Sequence, residues 1–179
     1  MLQNTDQTYG LIARIFHWLV ALLIITLLIV GFYMTSLEPT EDKFKIYGMH
    51  KAFGLTVFVL ILLRTLWRIT NKYVQPPPDL PEVLKIAAVS GHLLLYVLML
   101  VMPTSGMLMS LFGGHPISYF GLFTIDAFEK NAELAATFKN THETTAWILV
   151  ILISAHILAA IYHHFIRKDN VLLRMLKQT

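Results

Sequence analysis

Four long stretches almost free of formal charge constrain what this chain can become. From Ile15 to Leu37 there is no Asp, Glu, Lys or Arg, and a bilayer core of ~30 Å at ~1.5 Å per residue needs about 20 such residues. The run exceeds a signal-peptide core and has no small-residue cleavage site, so it reads as a retained helix. The second run is uncharged only from Ala52 to Leu63. Lys51, Arg64 and Arg68 extend it by snorkelling from its ends. Pro76, Pro77, Pro78 and Pro81 then form a stiff connector. The third run stays uncharged from Ile86 to Ile125. Gly113, Gly114 and Pro116 should end its helix near Ser110 or Leu111, and Pro103 should bend it. Pro116 to Lys139 reads as a partly apolar outer loop with a short interfacial helix around Ala127 to Phe138. The fourth run is uncharged from Thr144 to Ile166. The expected spans are residues 12–36, 46–70, 86–111 and 138–167, an all-α transmembrane four-helix bundle forming a single domain over 1–179.

Composition agrees with a membrane bundle. Charged residues are 14% of the chain and mean hydropathy is +0.62, against roughly 25% charged in soluble domains. The net charge of +3 is small and the basic residues are scattered, which argues against a nucleic-acid partner. With no cysteine there are no disulfides, iron–sulfur clusters or covalently attached haems. Arg14, Arg64, Arg68, Lys72, Lys85, Arg167, Lys168, Arg174 and Lys177 fall on one side of the expected membrane. Lys43, Lys45, Lys51, Lys130 and Lys139 fall on the other, together with Glu38, Glu41, Asp42 and Glu143. The nine-to-five split puts both termini in the cytoplasm.

Histidines carry the chemistry, because ionisable groups inside a membrane are costly and by default face the bundle interior. His142 and His156 are fourteen residues apart on the fourth helix. At ~100° and ~1.5 Å per residue they share a face within about 40° and stand roughly 21 Å apart. One helix thereby presents imidazoles at two depths, as two stacked haems require. Depth pairs His50 with His142 at the outer end and His17 with His156 toward the inner end. Bis-histidine ligation leaves no open position and favours electron transfer. His92 shares the depth of His17 and competes with it. Arg14, Lys51, Arg64 and Arg68 are candidates to pair with haem propionates. Gly48, Gly54, Gly91 and Gly106 would let flat macrocycles approach the backbone. His163 shares the face of His156, either lining a cofactor or quinone pocket or snorkelling at the boundary. His115 reads as a loop residue and His164 as interfacial. The methionines read as packing and Trp18, Trp67 and Trp147 as an aromatic belt.

Several strings carry a family resemblance. They are Arg14-Ile15-Phe16-His17-Trp18, Met49-His50-Lys51 with Arg64 to Arg68, and Gly91-His92-Leu93 to Tyr96 with Met102-Pro103 and Gly106. The fourth helix adds His142-Glu143-Thr144, His156 and His163-His164-Phe165, running into Lys168-Asp169-Asn170 and Leu172-Leu173-Arg174-Met175. Through them the chain resembles the bacterial cytochrome b561 family, which also contains the cytochrome b subunits of nickel–iron hydrogenases. The resemblance implies an inner-membrane cytochrome with two haem b groups ligated by His17, His50, His142 and His156. The family's short stand-alone chains are similar to superoxide oxidases. They pass electrons from superoxide at the outer face through both haems to ubiquinone near the inner one, and the family's tail histidine corresponds to His163.

The expected function is therefore superoxide:ubiquinone oxidoreduction. Lys51, with Lys43 or Lys45, would steer the anion, and quinone would be reduced near His163, His92 and Arg14. One alternative is a membrane anchor subunit that takes electrons from a partner dehydrogenase or hydrogenase. Another is a haem-free transporter or structural bundle with proton- or metal-binding histidines.

Overall fold

A computed structural model of the chain describes residues 1–177. Four long helices make the bundle: α1 (Leu11–Ser36), α2 (Glu41–Thr70), α3 (Glu82–Phe112) and α4 (Ala132–Tyr162). All four are long and apolar enough to cross a membrane. A π-helical turn, His163–Arg167, prolongs α4, and a single turn, α5 (Leu173–Leu176), ends the described chain. The architecture is the expected all-α four-helix bundle.

Three helices start four or more residues before their expected first residues, and side-chain caps explain two of them. The α2 helix begins at Glu41 rather than near 46. Thr40 accepts a hydrogen bond from the Lys43 backbone N–H, and Glu41 and Asp42 complement the positive end of the helix dipole. The α3 helix begins at Glu82 rather than 86, directly after Pro81. The α4 helix begins at Ala132 rather than 138, because the Asn131 side chain accepts from the Leu134 N–H at 3.0 Å. The separate interfacial helix expected over Ala127 to Phe138 is thus replaced by the first turns of α4. An antiparallel hairpin, β1 (Ile117–Tyr119) with β2 (Phe123–Ile125), precedes it. Gly114 and Gly121 take positive φ in this connector, as tight turns there require.

The helices run up and down, so both ends of the chain meet at one end of the bundle. There Gln75 donates its backbone N–H to Asp6, Arg14 donates to the Leu176 carbonyl and Trp18 donates to the Met175 carbonyl. The α1 helix has no side-chain cap. Instead the Met1 and Leu2 carbonyls accept from Leu11 and Ile12. Gly10 permits that fold-back, since a Cβ there would lie 2.3 Å from the Leu2 carbonyl oxygen.

The core is a thin apolar layer halfway along the bundle: Val20 and Ile24 of α1, Val57 and Ile61 of α2, Met99 of α3 and Leu149 of α4. Leu149 lies seven residues from both His142 and His156, so this layer separates the two histidine tiers. Outward positions such as Leu22, Ile29, Ile151 and Leu158 are about two-thirds exposed. Water would oppose that much apolar surface and lipid accepts it.

Candidate functional site

The tier at the hairpin end is built by His50 of α2 and His142 of α4, which line the same apolar cavity with Leu27, Leu28, Met102 and Pro103. The cavity opens into a larger space of about 1040 Å³ that also holds both histidines, together with Lys43, Lys51, Lys139, His115 and Glu143. His142 is held firmly. Its Nδ1 donates to the Met102 carbonyl at 2.8 Å, which leaves Nε2 with a free lone pair. That is how metal-ligating imidazoles are oriented. The ring lies against Gly106, where an added Cβ would sit 2.8 Å from the ring. His50 packs beside Gly31, where an added Cβ would make only ordinary contact at 3.4 Å, and its Nδ1 is buried with no partner among the described residues. Two imidazoles lining one apolar cavity, a glycine that admits the His142 ring and an orphaned nitrogen on His50 fit a planar metal macrocycle.

The other tier gathers three histidines. His156 lies 6.1 Å from His17 and 5.6 Å from His92, centroid to centroid. Arg64 donates to His17 Nδ1 at 3.0 Å, and its guanidinium also lies over Tyr96. Arg68 packs between Tyr73 and Tyr96. A guanidinium has no lone pair to offer, so His17 Nδ1 must accept. Among the described residues, no group of three or more His, Cys, Asp or Glu could hold a bare metal ion. The histidine pairs thus suit an iron that brings its own four nitrogen donors.

Beyond this tier lies a rim. Arg14 spans to the tail, and its Nε is buried without a partner among the described residues. His163 does not stand alone: its Nδ1 is 2.6 Å from Asp169, which Arg167 also contacts at 3.3 Å. Asp169 and Tyr96 are polar partners that periodicity alone could not single out. Neither breaks a helix pattern, and their neighbours are distant in sequence or lie beyond the helix end.

The Prokaryotic cytochrome b561 family model matches residues 8–178, nearly the whole chain. The chain belongs to the prokaryotic cytochrome b561 family. As a cytochrome b561 it is a bacterial membrane electron-transfer protein whose cofactor is haem b. It is 36% identical to cytochrome b561 homolog 2 of Escherichia coli (strain K12), over 97% of this chain and 93% of that protein. Cytochrome b561 homolog 1 of the same organism is 32% identical over 89% and 92%. A probable superoxide oxidase, CybB, from Yersinia pestis is 34% identical over 89% of this cytochrome and 90% of its own length.

Proposed function

We propose that this cytochrome holds two haem b groups, one between His50 and His142 and one between His17 and His156, and carries electrons from superoxide to ubiquinone. The observation that carries the reading is the double tier on α4. His142 shares a cavity with His50 and His156 packs against His17 and His92, with an apolar layer between the tiers. With about 2 Å per metal–imidazole bond and about 1 Å from nitrogen to ring centre, two imidazoles sharing an iron stand roughly 6 Å apart. The His17–His156 distance of 6.1 Å and the His92–His156 distance of 5.6 Å both suit this, and the choice of His17 follows the family resemblance. Haem supplies one-electron chemistry when bound. Arg14, Lys51, Arg64 and Arg68 are the propionate partners in this reading.

Superoxide as donor is supported by charge at the hairpin end. Lys43 bonds the Leu37 carbonyl, and Lys51 bonds the Pro116 carbonyl at 2.8 Å and Ser110. Both line the large cavity with no carboxylate paired to them among the described residues, so their charge is available to attract an anion. Lys45 is different: Glu41 and Asp42 pair with it, and it does not line the cavity. Similarity to a protein named as a probable superoxide oxidase points the same way. Quinone is assigned to the opposite end, near His163, His92 and Arg14, with both termini and that end in the bacterial cytoplasm by the positive-inside rule. Lipid and quinone are then sufficient partners, and no further subunit is required.

The test is rapid mixing of the purified, oxidised protein with superoxide, followed optically at the haem bands with quinol formation measured alongside. Millisecond haem reduction followed by quinol is expected. Haem reduction only when a dehydrogenase partner is added would favour the anchor-subunit reading. Counting haem in His17→Ala, His50→Ala, His92→Ala, His142→Ala and His156→Ala checks the ligands. Loss of a haem in His92→Ala but not in His17→Ala would reverse the inner pairing.

A further inference from the structure

The α4 helix does not simply fray. After Tyr162 it widens into a π-helical turn, and Lys168 then takes the left-handed conformation at φ 55°. That reversal returns Asp169 onto the start of the turn. Its backbone N–H reaches the His163 carbonyl at 3.2 Å, and its carboxylate reaches His163 Nδ1 at 2.6 Å. Lysine pays a conformational cost to sit there, and isolated π-turns recur at functional positions.

Asp169 is itself held from several directions. Arg167 Nε donates to it at 3.3 Å and the Val171 N–H at 3.1 Å, while the other end of Arg167 bonds Asp79 of the α2–α3 connector at 2.8 Å. Only 15% of the His163 side chain and 13% of the Asp169 side chain are exposed. An ionised carboxylate only accepts, so His163 Nδ1 carries the proton whether the ring is neutral or cationic. The single ring position left for proton exchange is Nε2.

We propose that Asp169 is a positioning residue for quinone reduction, locking His163 as the Nδ1–H form so that Nε2 serves the quinone oxygen. The inference rests on the assignment of quinone to this end of the bundle. The step forms no covalent link to the protein. Two superoxide ions, each oxidised to dioxygen, supply through the cytochrome the two electrons that take quinone to quinol. One of the two protons comes from water at that membrane face, and His163 delivers the other to the quinone oxygen it faces. As the N–H bond at Nε2 of the His163 imidazolium breaks, an O–H bond forms on that oxygen. Water at the same membrane face returns the proton to Nε2. The hydrogen bond at one ring nitrogen fixes the protonation of the other, and a positioned proton donor contributes roughly 10²–10⁴-fold to such a step.

The test uses the haem-loaded, full-length protein in detergent, with ¹⁵N-histidine NMR and steady-state kinetics. Asp169→Asn should turn His163 from a single Nδ1–H species into a mixture of tautomers. It should lower kcat for quinone reduction by roughly 10-fold or more, with KM and the rate of haem reduction by superoxide nearly unchanged. Asp169→Glu should restore part of kcat. A wild-type tautomer and kcat in Asp169→Asn overturn the proposal. So does a loss of activity that only tracks lost haem or a lowered melting temperature, which would make Asp169 a helix-end staple. His163→Ala separates the two levels. If it leaves quinone reduction intact, quinone binds elsewhere and the proton-transfer role falls, whatever the NMR finds.

Discussion

A guanidinium can only donate, and this governs what His17 can do. While Arg64 donates to its Nδ1, the neutral ring keeps its proton on Nε2. If His17 were to hold iron through Nε2, as proposed, that proton would have to move to Nδ1, and Arg64 would leave the ring with its charge free to meet a propionate. His142 needs no such rearrangement, because Nδ1 already donates to the Met102 carbonyl. Its weak point is steric. Gly106→Ala would place a methyl group 2.8 Å from the ring and push His142 off that carbonyl. On the proposed two-haem reading, the expected result is a protein that binds one haem instead of two, with the spectrum of the haem proposed between His17 and His156 retained, as measured by pyridine haemochrome per chain.

At the scale of elements, the ends of the helices decide more than their apolar middles. Thr40 caps α2 ahead of two acidic residues, and that cap sets where the approach to His50 begins. Thr40→Ala should cost about 1 kcal/mol, visible as a lowered thermal midpoint in detergent with the haem spectrum unchanged. The turn after α4 adds a pH dependence. Burial pushes the Asp169 carboxyl up. Its hydrogen bonds to His163 and the Val171 N–H, the charge of His163 and the bond from Arg167 more than offset this, and the net shift is below the ordinary aspartate value. A depressed folded-state value means the carboxylate stabilises the fold fully above the ordinary aspartate range. That contribution disappears as pH falls through the lower folded value. Wild-type protein should therefore lose more of its melting temperature between neutral and acid pH than Asp169→Asn, and parallel melting curves would contradict this.

For the whole molecule, lipid and charge act at different places. Apolar side chains face outward along all four helices, while the large cavity at the hairpin end holds Lys43 and Lys51 bonded to neutral carbonyls, beside the Lys139–Glu143 pair. Charge in a low-dielectric mouth raises the local concentration of an anion, and 1 M salt screens that attraction beyond ~3 Å. Lys43→Gln should slow haem reduction by superoxide several-fold at low ionic strength. The gap from wild type should close at high salt, as read by stopped-flow over a salt series.

The sequence alone determined the spans, the bundle and the two-depth spacing of His142 and His156. Uncharged length and helical periodicity are local properties that the bilayer enforces whatever the neighbours do. The helix starts at Glu41, Glu82 and Ala132 and the hairpin over 117–125 were less legible, because capping and turn geometry depend on a few backbone bonds rather than on hydropathy. Only the tertiary structure could bring His92 as close to His156 as His17 is, set Arg64 on His17 and fold Asp169 back onto His163. Those contacts join residues on different helices, or across a left-handed turn. Lateral packing and the reversal of one backbone dihedral decide them, and neither leaves a period in the chain.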